Sequence, residues 1–190
     1  MSGSEPVIRA HVTVTFLRMD RPPAVPAPPL PEGVRVVRVI APDLAFYRFL
    51  YATVGTPYLW WLRRVMPDRD LAALLSDPQI GVFVLEADGQ TAGFYELDAR
   101  YAPAVNLSYF GLMPGWVGRG LGHAFLRHAV DMAWAVGSVR YVTVNTCNAD
   151  HPRALPLYRQ VGFHPYRQMV ERWNIPVRLG MVIPEHLQQG

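Results

Sequence analysis

Three glycines close together, Gly118, Gly120 and Gly122, lie between an apolar run ending at Met113 and an amphipathic pattern that follows them. The stretch 109–125 reads YFGLMPGWVGRGLGHAF, and Pro114 and Gly115 break the run before the glycines. Leu121, Phe125, Ala129, Met132 and Val136 then recur at helical spacing. The first N–H groups of a helix have no internal partner, and the helix dipole places partial positive charge there. Glycines let an anionic phosphate group approach such backbone closely, and Arg119 adds a full charge on a planar donor fork. The chemistry this pattern offers is phosphate recognition. A P-loop would need a lysine after the last glycine, and a dinucleotide fingerprint read from Gly118 would need glycine where His123 stands. On spacing alone a phosphate cradle and a plain tight turn into a helix both remain open.

The elements around this loop are legible from pattern. HVTVTF at 11–16 and VRVVRVI at 34–40 alternate with β-branched residues and predict strands. Between them six of the 18 prolines fall within residues 22–31, a stiff connector inside one domain. Pro42 opens a helix that Gly55 stops, a second helical piece starts after Pro57, and Asp68 caps a third. Residues 82–85 and 92–97 form a hairpin across Asp88 and Gly89, and a longer strand covers 105–113. A helix over 120–136 ends at Gly137, a strand covers 140–146, and a short helix over 152–161 ends at Gly162 before strand material resumes at Phe163. Antiparallel strands followed by one strand–helix–strand crossover predict a mixed α/β sheet with helices on both faces.

Composition sets the limits. A chain of 190 residues, 51% hydrophobic and 17% charged, suits one domain with ample core material and excludes disorder over most of its length. No apolar run reaches the roughly 18 residues needed to span a bilayer, so no membrane role is expected. The start lacks a basic stretch leading into an apolar one, so no secretory signal is expected either. The one cysteine, Cys147, makes neither an internal disulfide nor a metal cluster, and a reducing cytoplasm is the expected compartment. The net charge of +3 comes from scattered residues, which argues against nucleic acid and permits a small anionic ligand.

VGRGLG at 117–122 resembles the acetyl-CoA-binding loop of the GCN5-related N-acetyltransferase (GNAT) superfamily, usually Gln/Arg-x-x-Gly-x-Gly/Ala after the fourth strand. NADHPRALPLYRQVGF at 148–163 resembles the family's second signature, with Ala154, Leu157, Tyr158, Gly162 and Phe163 in register. FYRFLYATVG, GFYELD and YFGL, starting at Phe46, Gly93 and Tyr109, are similar to a bacterial branch of uncertain substrate. The resemblance covers residues 34–170. Val117 departs from the pattern where Gln or Arg is usual, His151 stands in place of asparagine, and Pro156 falls inside the short helix.

The resemblance implies a mixed, twisted, mostly antiparallel sheet whose fourth and fifth strands splay apart. It implies an N-terminal strand and connector over 1–33 belonging to the same domain as an acetyltransferase unit over 34–190. It implies acetyl-CoA as co-substrate, with the pantetheine arm along Phe110, Gly111, Leu112 and Met113. The diphosphate then lies on Val117, Gly118, Arg119, Gly120, Leu121 and Gly122, with Asn148, Ala154 and Tyr158 adding contacts, and no metal takes part. An amine attacks the thioester directly, so Cys147 is not needed as a nucleophile. Tyr158 is the implied general acid, because a phenol of pKa about 10 stays protonated at neutral pH. Glu96 is the implied base, through a water, with Asp98 at the strand end as the lesser alternative. Asn145 and Thr146 either contact the ligands or end their strand; Arg159 either meets the nucleotide phosphates or is solvated. Tyr47, Tyr51, Trp60 and Trp61 are either core or the lining of an acceptor pocket. The implied function is acetyl transfer to a small-molecule or peptide primary amine by a monomer or homodimer. A non-catalytic acetyl-CoA-binding module, another acyl donor and a hydroxyl acceptor are the competing readings.

Overall fold

The structure is a computed structural model that describes residues 5–188. The chain runs β1 (Val7–Met19), β2 (Val34–Val39), α1 (Leu44–Gly55), α2 (Leu62–Val65), α3 (Asp68–Leu75), β3 (Ile80–Ala87), β4 (Gln90–Asp98), β5 (Ala104–Leu112), α4 (Leu121–Trp134), β6 (Tyr141–Cys147), α5 (Ala154–Gln160) and β7 (His164–Pro176). The strands form one mixed sheet in the order β2-β3-β4-β5-β6-β1-β7. Every neighbouring pair is antiparallel except β5 and β6, which the α4 crossover makes parallel.

Local chemistry explains the boundaries. The β3–β4 hairpin turns through Asp88 and Gly89, both at positive φ, as the right-handed strand twist requires. Asp43, one residue after Pro42, caps α1: its carboxylate accepts from the N–H groups of Ala45 at 2.8 Å and Phe46 at 3.2 Å. Other boundaries differ from the pattern. Asp68 does not cap α3: it is the first residue of that helix, behind Pro67, and no side chain caps it. The piece after Pro57 is interrupted: a 3₁₀ turn over Thr56–Tyr58 ends at Leu59 in the left-handed region, and α2 is only four residues long. The interruption sinks Leu59 into the core, 2% exposed. α4 ends at Trp134 with a right-handed cap at Ala135, two residues before Gly137.

The sheet is covered on both faces. On one, Tyr47, Leu50 and Val54 of α1 pack against Val82, Val84 and Phe94. On the other, Phe125, Ala129 and Ala133 of α4 meet Leu85, Tyr95 and Val144. A third core joins Val12 of β1 and Ile175 of β7 to Leu59 and to Met181, Ile183 and Leu187 near the C-terminal end. Each fully buried Val, Leu, Ile, Phe or Met side chain among these contributes about 1.5–3 kcal/mol.

Two features open the site. β1 is an interior strand, pairing with β6 (Thr15 opposite Thr146) and with β7 (Val12 opposite Glu171). The β5–β6 ladder runs only from Ala104 opposite Tyr141 to Leu107 opposite Val144, although both strands continue. The divergence coincides with a β-bulge. Leu107 faces Leu97 and Tyr109 faces Glu96, so Ser108 is the extra residue that bends β5 away from β6. This is the splay that the sequence resemblance implies.

Candidate active site

A cavity of about 1180 Å³ occupies the splay. One end is built by β5 and the loop before α4. Phe110, Gly111 and Leu112 lie along a strand whose backbone has no β6 ladder partner beyond Leu107. Val117, Gly118, Gly120 and Gly122 continue the wall. Gly118 and Gly120 have φ of +84° and +81°, a region that favours glycine, and a Cβ on either would meet nothing within 4 Å. No side chain caps the N-terminus of α4, so its first N–H groups are bare. The loop is therefore an open cradle of backbone donors at the positive end of a helix.

α5 adjoins that end, a Cβ on Gly122 lying 3.8 Å from the Leu157 side chain, and places Ala154 and Tyr158 on the cavity wall. Pro156 is its third residue, where the N–H would have no helical partner; the first intrahelical bond runs from Leu157 N to Arg153 O at 3.0 Å. The helix starts late and Tyr158 keeps its place in it. The Tyr158 ring packs against Phe110 and Phe163, with centroids 6.5 and 6.0 Å away. Burial, and after it the Asp150 carboxylate, push the phenol well above its ordinary pKa. It is a proton donor across the whole neutral range.

Other predicted residues lie elsewhere. Met113 is buried beneath α1 and its N–H is taken by Ala92 O at 2.8 Å. Leu121 packs its side chain into the α4 core. The Arg119 guanidinium sits over the Trp116 ring, 4.5 Å from its centroid, outside the cavity wall. Asn148 turns to β1: its Oδ1 accepts from Thr13 N at 2.9 Å, and its N–H reaches Thr13 O at 3.1 Å. This side chain substitutes for a strand partner where β6 ends, so it faces away from the cavity.

Glu96 is fully buried and does not reach the wall. Arg63 Nη2 donates to its Oε1 at 2.8 Å, and the Tyr47 hydroxyl donates to its Oε2. Both oxygens are thus engaged by protein donors. What the cavity meets is Arg63, whose guanidinium lies 5.3 Å from the Tyr109 ring centroid. Burial works to lower the Arg63 pKa, but the Glu96 carboxylate together with the Tyr109 and Tyr47 hydroxyls raises it overall and holds the guanidinium charged. Asp98 is committed to Arg100 at the far end of β4, through bonds of 2.6 and 3.0 Å.

Residues without a sequence signal complete the wall. Asp150 lies beside Tyr158's end of the cavity, its Oδ2 accepting from Thr146 Oγ1 at 2.7 Å and Cys147 N at 2.9 Å. Thr146 therefore serves Asp150, while Asn145 stands on the wall itself. Arg63 and the β7 residues Glu171 and Trp173 also line the cavity. Only the four-residue spacing of Thr146 and Asp150 hinted at such a pairing; nothing in the local pattern marks the other three. Trp60 and Trp61, left open between core and pocket, lie on the wall, whereas Tyr47 is core. Among the described residues no group of three or more His, Cys, Asp or Glu is placed to hold a metal ion. Among the described residues no helix is long and apolar enough to cross a membrane.

The comparisons with known proteins agree with this geometry. No curated protein matches the sequence. Solved structures that share the fold include a GCN5-related N-acetyltransferase from Kribbella flavida, at 18% identity and a TM-score of 0.60 over 89% of this chain and 60% of that one. Another is a GCN5-related N-acetyltransferase from Sphaerobacter thermophilus, at 24% identity and 0.56 over 91% and 54%. A third is the aminoglycoside acetyltransferase meta-AAC0020 from an uncultured soil metagenomic sample, at 17% and 0.57 over 73% and 93%. The chain thus spans 60% and 54% of the first two, and at these identities the likeness is one of fold. The sequence model of the Acetyltransferase (GNAT) family matches residues 46–163, from α1 through the end of the second signature. That match, on a sheet splayed where the family requires it, makes the chain a member of the GNAT acetyltransferase family.

Proposed function

We propose that the protein transfers the acetyl group of acetyl-CoA to a primary amine by direct attack in a ternary complex. The observation that carries this reading is the cavity in the splay, which joins a bare-backbone glycine cradle, an unpaired strand edge and Tyr158 in one continuous wall. These groups fit the donor in order. The cradle at Gly118, Gly120 and Gly122 suits the diphosphate, and the free backbone of Phe110, Gly111 and Leu112 suits the amides of the pantetheine arm. Neither requires Arg119 or Asn148.

In the reaction the amine lone pair attacks the thioester carbonyl carbon. The C–N bond forms, the C–S bond breaks, the nitrogen loses a proton and the sulfur gains one. Tyr158 supplies the proton to sulfur, a role that suits a protonated phenol on the wall. The amine's proton goes to Asp150, the carboxylate at Tyr158's end of the cavity. Glu96 is a positioning residue that fixes Arg63. Burial, and after it Asp150, push the Cys147 thiol up to about 12, so at neutral pH it is the protonated thiol and a poor nucleophile. Direct attack needs no acyl-enzyme.

The test is CoA thiol release from acetyl-CoA over a panel of amines, with alcohols alongside, followed by initial-velocity analysis at several concentrations of both substrates. Intersecting lines and an acetylated amine are expected. Parallel lines would indicate an acyl-enzyme, acetylated alcohol alone would indicate an oxygen acceptor, and binding without thiol release would indicate a non-catalytic module.

A further inference from the structure

We propose that β7 is the interface of a homodimer, in which two copies pair antiparallel about Met169 and each brings its Arg167 to the other's Glu171 at the cavity wall. β7 is the last strand of the sheet, and among the described strands none pairs with its outer edge. Which of its backbone groups face outward follows from Asn148. Thr13 N donates to Asn148 Oδ1 at 2.9 Å, and Thr13 O accepts from Asn148 N at 3.1 Å, so Thr13 turns both groups toward the β6 side. Thr13 stands opposite Val170, which makes theirs a non-hydrogen-bonded pair of the β1–β7 ladder. Val170, and by alternation Gln168 and Arg172, therefore point N–H and C=O away from β1. Bare groups of this kind at a sheet edge are a template for a further strand. Pro165 and a bulge limit the edge at one end, but the register with β1 is unbroken from Arg167 to Pro176. The side chains along this stretch include the exposed Met169 and Val170, at 37% and 66%.

Charge selects the partner and the register. Arg167, Met169 and Glu171 share one face of β7, because side chains alternate along a strand. Arg167 and Glu171 are four positions apart, about 13 Å along the strand, too far to pair within one chain. Arg167 is exposed, lies 5.8 Å from the Phe16 ring centroid and meets no carboxylate among the described ion pairs. Glu171 Oε2 accepts from Trp173 Nε1 at 2.8 Å, and among the described hydrogen bonds its Oε1 has no protein partner. A second copy, turned about a two-fold axis perpendicular to the sheet, can pair with β7 only where some residue faces its own copy, since backbone direction alternates along both strands. Centres on Arg167, Glu171 or Arg172 set like charges face to face. Centres on Gln168 or Val170 put neither arginine opposite Glu171. The centre on Met169 places residue 167 opposite residue 171 twice. In that register Gln168 and Val170 of the two copies exchange backbone hydrogen bonds. Arg167 and the partner's Glu171 then meet as a non-hydrogen-bonded pair, the kind with the closer side chains. Glu171 lines the cavity, so the partner's Arg167 completes the wall beside it.

Sedimentation velocity on the full chain tests this, with thermal unfolding of each variant alongside. The wild type should be a dimer at micromolar concentration. Arg167→Glu and Glu171→Arg each set like charges opposite one another at two places, and each should raise the dimer dissociation constant about tenfold or more. An equimolar mixture of the two variants restores opposite charges at both places, so it should recover a dimer that neither variant forms alone. Val170→Pro removes an N–H that faces outward and none that bonds β1. It should weaken the dimer while the monomer stays folded, which keeps the interface testable even where Glu171→Arg folds poorly. A wild type that stays monomeric throughout the micromolar range would overturn the inference. A dimer that neither the charge reversals nor the proline weakens would overturn it too, because its interface would lie elsewhere. Folded variants that dissociate singly and do not recover on mixing would overturn the register about Met169.

Discussion

Tyr158 and Glu96 look alike as sequence candidates and diverge in three dimensions. Tyr158 sits on the cavity wall with its phenol held protonated by burial and by Asp150. Tyr158→Phe should leave acetyl-CoA affinity unchanged and lower kcat by about 10²–10⁴-fold, the usual span for general acid catalysis. An unchanged kcat would reduce the tyrosine to a packing role. Glu96 is sealed beneath Arg63 and Tyr47, so its replacement acts through Arg63. Glu96→Gln leaves a mostly buried guanidinium without its counter-charge. It should cost about 3 kcal/mol of stability in a denaturant titration. Any loss of turnover should be equal at every pH; a loss confined to the acidic limb of the pH–rate profile would show that Glu96 itself takes the proton. The motif register puts Tyr158 on α5, where the structure has it, because a signature fixes a residue relative to its own helix. It does not show that Glu96 faces Arg63, because that contact joins residues 33 apart in sequence across a helix and a strand. Asn148 shows the same limit: its partner, Thr13, lies 135 residues away.

At the scale of elements, the local punctuation was readable where one residue decides it. Asp88 and Gly89 specify their turn, and the glycine loop specifies the start of α4. The break after Pro57 was not readable, because its cause is tertiary. A Cβ on Gly55 would lie 2.4 Å from the Trp60 Cβ, so the glycine that appears only to end α1 also lets Trp60 fold back against it. Trp60 in turn packs on Tyr51 and Tyr109, with centroids 5.5 and 5.0 Å away, and forms part of the cavity wall. Gly55→Ala should therefore displace Trp60, destabilise the protein by about 1–3 kcal/mol and raise KM for the amine more than Kd for acetyl-CoA. Thermal melts and steady-state kinetics check both parts; a fully neutral alanine would mean that the turn adapts without moving the indole. Gly137 is the converse case, a good cap residue left unused because the helix unwinds before reaching it.

For the whole molecule, the class of sheet was legible from the order of strand and helix patterns, and the splay from the family resemblance. The site of the N-terminal strand was not, since alternation in HVTVTF marks a strand without naming its neighbours. In the structure β1 lies between β6 and β7 and contributes Ala10, Val12 and Val14 to the third core. Val14 also lines the cavity, and β7 carries Glu171 and Trp173. A chain lacking residues 1–33 should lose the attachment of β7 and fail to unfold cooperatively in denaturant; a cooperative transition with undiminished amine turnover would show that the acetyltransferase unit is self-sufficient without β1. The central claim concerns the splay itself, that it holds acetyl-CoA with the diphosphate on the backbone at Gly118 and Gly120. Calorimetric titration of acetyl-CoA into the wild type and into Gly120→Val, with thermal unfolding to confirm that the variant is folded at its strained positive φ, tests that claim most directly. The variant should bind at least tenfold more weakly, a loss of about 1.4 kcal/mol or more. Equal affinity in a folded variant would contradict this placement and put the donor elsewhere.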